Sequence, residues 1–169
     1  RIIQNHLILK PGHNFSSDNL ADNERILREL PSINDARIVV TSFDTINNSV
    51  DLMVIVKDVW SKGFGFETSD FSSGRVDVWD RNIFGTGHDL TNYIIWNKEK
   101  SEKTGYQGIY KIKNMFGSFI DAQVNYISIF DHKEYSLLLS REFFTPETKF
   151  AGGFSYLKTQ RNKNFNTSL

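Results

Sequence analysis

The chain has 169 residues, enough for one good-sized domain or two small ones with a buried core. Its 20 lysines and arginines balance 20 aspartates and glutamates, so the formal net charge is zero and the basic footprint of a nucleic-acid binder is missing. Cysteine is absent, which excludes disulfide scaffolds and thiolate metal sites and leaves the compartment open.

The sequence opens at Arg1 without an initiator Met or a signal peptide's apolar core, and so reads as a processed or excised piece. Ile2-Ile3-Gln4-Asn5-His6-Leu7-Ile8-Leu9 predicts the tail of a helix ending before Pro11-Gly12. Ser16 is placed to cap a second helix, with Asp18 in its first turn and Phe15 stapled onto Leu20. Leu20, Asn23, Leu27 and Leu30 then share a face with Ile26 beside it, and Pro31 ends the run. Residues 36–43 and 50–57 are rich in β-branched side chains and predict a hairpin. Its helix-covered face holds Ile38, Val40, Val50, Leu52, Val54 and Val56. The texture changes at Trp60-Ser61-Lys62-Gly63, where a boundary divides residues 1–60 from residues 61–169.

The second part has no convincing helix, and no apolar run approaches the roughly 18–20 residues of a membrane-spanning helix. Aromatics make up 14% of the chain, with 14 phenylalanines, yet mean hydropathy is slightly negative, as expected where polar and apolar positions alternate. Gly63 to Trp79 reads as a first, glycine-containing strand. Asn82-Ile83-Phe84-Gly85-Thr86-Gly87-His88-Asp89-Leu90 follows as a hairpin turn, in which Asn82, Gly85 and Gly87 are structural. Tyr106, Gly108, Tyr110 and Ile112 oppose Gln107, Lys111 and Lys113, and Ile120, Ala122, Val124, Tyr126 and Phe130 oppose Asp121, Gln123 and Asn125. Weaker alternation around 90–97, 135–144 and 150–159 brings the total to about six strands of roughly 8–13 residues, near the length that crosses a bilayer. The turns between them are Lys98 to Ser101, Asp131-His132-Lys133 and Thr145-Pro146-Glu147; Arg161 to Leu169 reads as a polar loop.

The sequence offers no catalytic constellation. Gly85 and Gly87 lack the third glycine and the following Lys-Ser/Thr of a phosphate loop. His88 and Asp89 are adjacent in a strand and point to opposite faces, with the other histidines far off in sequence, so His88 reads as a solvated loop residue. Asp77, Asp80 and Glu142 read as salt-bridge partners across strands. Tyr93 and Trp96 are candidates for an interfacial aromatic girdle, and Trp60 for packing at the boundary. Neither a cofactor nor a metal is expected.

Pro11-Gly12, Phe15, Leu20, Glu24-Arg25-Ile26-Leu27-Arg28, Leu30, Ile33, Ala36-Arg37-Ile38, Val50 and Leu52 form an αββ pattern that resembles the last part of a POTRA (polypeptide-transport-associated) domain. The segment Asn82 to Leu90, then Arg141-Glu142-Phe143-Phe144-Thr145-Pro146 with Gly152-Gly153, is similar to the bacterial surface-antigen family of outer-membrane barrels. The resemblance implies an α+β unit followed by an all-β part, with the N-terminal strands of a transmembrane barrel unclosed in this chain. It also implies that Arg141 faces the barrel interior; Leu137 and Leu139 share its parity, so that placement requires a bulge.

On this resemblance the chain belongs at the bacterial outer membrane, with the POTRA-like part in the periplasm. Its expected partners are the lipid bilayer, client outer-membrane or secreted polypeptides and other envelope assembly proteins, and not nucleic acid. The expected activity is insertion or translocation of proteins without bond-making catalysis, so it is not an enzyme. A different class is a soluble β-sheet binding module using residues 120–130 as a pocket wall. A third is the barrel anchor of an upstream hydrolase domain.

Overall fold

A computed structural model describes residues 2–145 and 148–161. They form two short helices and nine strands in two open antiparallel sheets. Helix α1 spans Ile2–His6 and α2 spans Ser17–Arg28. The first sheet pairs β1 (Ile33–Asp44) with β2 (Ser49–Asp58). The second runs in chain order: β3 (Lys62–Thr68), β4 (Ser73–Asp80), β5 (Asp89–Asn97), β6 (Thr104–Ile112), β7 (Asp121–Ile129), β8 (His132–Arg141) and β9 (Gly152–Arg161).

Local chemistry explains the N-terminal elements. Ser16 caps α2, its hydroxyl accepting from the Asn19 N–H, and the helix ends at Arg28 ahead of Pro31. Leu27, Leu30, Ile33 and Ala36 form the buried core, with Ile2, Ile3, Leu7, Val54 and Val56 packed against it. Helix α1 stops at His6, earlier than its apolar run predicts, because the chain beyond it bonds elsewhere. Asn23, fully buried in α2, accepts through Oδ1 from the N–H groups of Ile8 (2.7 Å) and Leu9 (3.2 Å) and donates to the Asn19 carbonyl. In the hairpin, Ile38 and Val40 of the expected face oppose Val54 and Leu52, though Val40 is 41% exposed; Val56 opposes Ala36, a buried residue outside the expected set, and Val50 opposes Phe43. A bulge between Val40 and Ser42 shifts the outer end.

The large sheet carries one strand more than expected after residue 60. Residues 63–79 are not a single strand but the hairpin β3–β4, reversed at 69–72. Asp70 accepts there from the N–H groups of Ser72 and Ser73, which closes the turn. The Asn82 to Leu90 segment is therefore the sheet's second connection, between β4 and β5, and not its first. Strands β5 to β9 begin within three residues of their predicted starts, while Asp131-His132-Lys133 contracts to the two-residue turn Phe130-Asp131. The predicted Pro146, Glu147 and 162–169 features lie outside the described residues.

Three connections at one end of the sheet, 81–88, 113–120 and, among the described residues, 142–145, lie beside the N-terminal helices. Asn114 donates to the Asn5 carbonyl (2.9 Å), the His6 ring lies 3.3 Å from the Lys113 carbonyl, and Arg25 donates to the Phe144 carbonyl. This contacted rim fixes the orientation of everything that follows.

Candidate functional site

Because every ladder from β3 to β9 is in continuous register, side-chain parity carries across the whole sheet. One face collects Phe64 and Phe66, Val76 and Val78, Ile94 and Trp96, Tyr106 and Tyr110, Val124 and Tyr126, Tyr135 to Leu139, and Phe154 and Tyr156 at alternate positions. The other collects Glu67, Arg75, Asp77, Gln107, Gln123, Asn125, Glu134 and Ser136. Phe64, Phe66, Val78, Ile94, Val124 and Tyr135 of the first face are exposed, whereas Val76, Trp96, Tyr110, Tyr126, Leu137 and Leu139 are half-buried. Asp77, Gln107, Gln123, Asn125 and Glu134 of the second face are half-buried beside Tyr93, Ile95 and Ile127, while Glu67 and Arg75 are exposed.

Several groups of the polar face bond one another, although His132 Nδ1 is buried without a partner among the described residues. Arg75 pairs with Glu67 (2.7 Å), approaches Asp77 (3.8 Å) and lies over the Tyr93 ring at 5.3 Å. Gln123 donates to Asn125, which donates to Ser136. On the apolar face Tyr126 lies between Tyr106 and Tyr135, and Phe66 stacks with Trp96 at 6.0 Å. Two glycines make room for rings: a Cβ at Gly63 would fall 2.2 Å from the Trp79 ring, and one at Gly74 2.3 Å from Trp96.

Several expected roles move. Tyr93 lies on the polar face beneath Arg75 and Trp96 on the apolar face, so they do not form one girdle. Trp60 is 86% exposed and does not pack at the boundary. No bulge interrupts β8, so Arg141 keeps the parity of Leu137 and Leu139, with its guanidinium 5.7 Å from the Phe144 ring. Arg75 lies on the polar face, which also carries Lys111, Glu67, Asp77 and Glu134. His88 is half-buried, its Nδ1 2.5 Å from the Tyr110 hydroxyl. Asp77 meets Arg75 and Asp80 meets Lys62.

Asn82, Gly85 and Gly87 lie in the connection between β4 and β5, and a similar turn joins β6 to β7, although Asn82 has φ −151° and Asn114 φ 49°. Arg81-Asn82-Ile83-Phe84-Gly85-Thr86-Gly87-His88-Asp89 matches Lys113-Asn114-Met115-Phe116-Gly117-Ser118-Phe119-Ile120-Asp121 position by position. In each, the Asn side-chain oxygen accepts from the N–H five residues on, at 2.8 Å (Gly87) and 2.6 Å (Phe119). The Thr86 and Ser118 hydroxyls both donate 2.6 Å to the carbonyl three residues back. A short 3-10 turn follows each Asn, and Phe84 and Phe116 take left-handed backbone at φ 50° and 55°. That conformation costs an L residue roughly 1–2 kcal/mol. Both rings are almost wholly exposed, at 98% and 97%, although a Cβ at Gly87 would fall 3.3 Å from Ile2 and Asn114 bonds Asn5 in the same turns.

No protein-family model matches the chain, and no curated protein matches it either. The sheet must therefore be interpreted from its own chemistry. Among the described residues, no cluster of three His, Asp or Glu is placed to hold a metal ion. No helix of the described residues is long and apolar enough to cross a membrane, which says nothing of strands.

Proposed function

We propose that β3 to β9 are transmembrane strands of an outer-membrane barrel of the assembly or translocation kind, and that residues 1–60 are the end of a POTRA-like unit on its periplasmic side. The observation that carries this reading is that Phe64, Phe66, Val78, Ile94, Val124 and Tyr135 are exposed on one face of the sheet while Asp77, Gln107, Gln123, Asn125 and Glu134 are half-buried on the other. Water penalises such a surface at about 25 cal/mol per Å² of apolar area, whereas hydrocarbon does not. The dimensions agree. A nine-residue strand such as β5, β6 or β7 rises roughly 30 Å, and tilted by about 40° it spans close to the 25 Å apolar band of such barrels. Helix α2 followed by β1 and β2, in contact with one rim, supports the periplasmic placement. On this reading the work of the protein is to lower the barrier to strand insertion or passage of a client polypeptide, through paired strand edges and without bond chemistry.

The test uses the intact protein, purified in detergent and reconstituted into phospholipid vesicles. A fluorophore on Val124→Cys, on the apolar face, is expected to be quenched by nitroxide placed deep in the acyl chains, while one on Asn125→Cys, on the polar face, is not. Recovery of the intact protein in monodisperse form without detergent, with no quenching at residue 124, overturns the reading in favour of a soluble sheet module.

A further inference from the structure

We infer that the paired turns anchor one rim of the sheet to the glycerophospholipid surface, with Phe84 and Phe116 inserted at the boundary between headgroups and acyl chains. This rests on the barrel reading and goes beyond it by assigning a lipid site to residues that lie in no strand. Four observations converge. The two phenylalanines are nearly fully exposed, so nothing among the described residues uses their apolar surface. They stand at equivalent positions of a repeated turn, held by the same hydrogen bonds, so their common presentation is built and not incidental. The two turns lie at the same rim, two strand spacings apart, about 10 Å, so both rings can meet one surface together. That surface has an identifiable chemistry.

The apolar face runs up to this rim through the half-buried Leu90, Tyr110 and Ile112, so the exposed rings continue that face and do not start an isolated patch. Exposed Arg81 precedes the first Asn and Lys113, which pairs with Asp121, precedes the second, while Arg141 ends β8 with its guanidinium over Phe144 and close in sequence to the exposed Phe143. An aromatic side chain just beyond a basic one is the arrangement that suits a phospholipid boundary: the ring enters the acyl region while the cation stays among phosphates. The neighbouring positions Gly87, Asn114 and Lys113 meet α1, so the N-terminal unit would be held close to the same leaflet by the turns that anchor it. A protein partner would also cover two phenylalanines. The continuity with the apolar face and the basic residues favours lipid.

The experiment uses the intact protein in vesicles of phosphatidylethanolamine and phosphatidylglycerol, with a fluorophore on single cysteines at 84, at 116 and at 124. Anchoring predicts that the labels at 84 and 116 are quenched more by nitroxide near the headgroup than by nitroxide at the chain ends, with the reverse order at 124. If 124 is quenched deeply while 84 and 116 answer only to a water-soluble quencher, or become shielded only when a second protein is added, the anchor is overturned and the barrel reading stands. If 124 is not quenched by any lipid, both fall together. A second measurement keeps an aromatic in each turn: Phe84→Trp and Phe116→Trp should add emission quenched by lipids brominated near the headgroup, above the native tryptophan background. No added quenching counts against the anchor.

Discussion

Phe84 and Phe116 occupy left-handed backbone where their turns follow them immediately with Gly85 and Gly117, at φ 71° and 74°. Glycine at 84 and 116 would relieve roughly 1–2 kcal/mol of strain and add about 0.5–1 kcal/mol of unfolded-state entropy. The expected outcome for Phe84→Gly or Phe116→Gly is therefore no loss, or a gain of up to about 1 kcal/mol, in the denaturant midpoint of the intact protein in detergent. A loss larger than about 1 kcal/mol would mean the rings pack within the fold. The repeat behind this argument was present in the sequence and hard to see. Its second copy has Phe119 and Ile120 where the first has Gly87 and His88, and only the shared Asn, Phe, Gly, hydroxyl and Asp carry the geometry. Asp44 gives a second residue-scale prediction. The Asn47 side chain, then the N–H groups of Asn47 and Ile46, hold its carboxyl below the ordinary carboxylate range. The unfolded chain protonates at the ordinary value, so this turn's contribution is complete above that value and lost as pH falls through the lower folded one. The Asn47 amide resonance should report a midpoint below 3.8, and Asp44→Asn should abolish the transition.

Among elements, α2 shows where pattern reading succeeds. Its cap, buried stripe and end were legible because each follows from a local rule: the Ser16 hydroxyl, the 3.6 period, and Pro31. What the pattern did not reveal is why Asn23 sits in an apolar stripe. Its amide closes off the segment after α1, taking two backbone donors that α1 would otherwise have spent on another turn. Asn23→Ala should cost about 2–3 kcal/mol, since it strands two half-buried N–H groups and opens a cavity. Ser16→Ala at the exposed cap should cost only about 1 kcal/mol. Equal losses in thermal unfolding would remove Asn23's special role. The β3–β4 hairpin was missed for a physical reason: Phe71, 98% exposed, stands inside the turn and mimics a strand residue, while the carboxylate of Asp70 makes the reversal. In β6 and β7 the two faces were legible directly, because polar and apolar residues alternate there with few exceptions.

At the scale of the whole molecule, the arrangement joins a small α+β unit to one rim of a two-faced sheet through groups that are few and directional. His6, 6% exposed, has Nδ1 2.9 Å from the Ile2 carbonyl and Nε2 3.3 Å from the Lys113 carbonyl, so its ring ties the end of α1 to the second of the paired turns. Arg25 reaches from α2 to the Phe144 carbonyl in the third connection. Between them lies a cleft lined by Ile26, Leu30, Phe119 and Phe143, whose walls belong to both units. No side chain of α1 or α2 participates in the sheet's ladders, so this contact can be loosened without unpairing a strand. His6→Ala combined with Arg25→Ala should therefore speed backbone hydrogen exchange at 113–120 and in α1, while β6, β7 and β8 keep their protection. The two substitutions remove separate bonds in one interface, and their combined effect should exceed the sum of the single effects if the units dock as rigid bodies. Strict additivity, or loss of protection spreading into β7, would instead mean that the N-terminal unit and the sheet fold as one body and that the rim is not a joint.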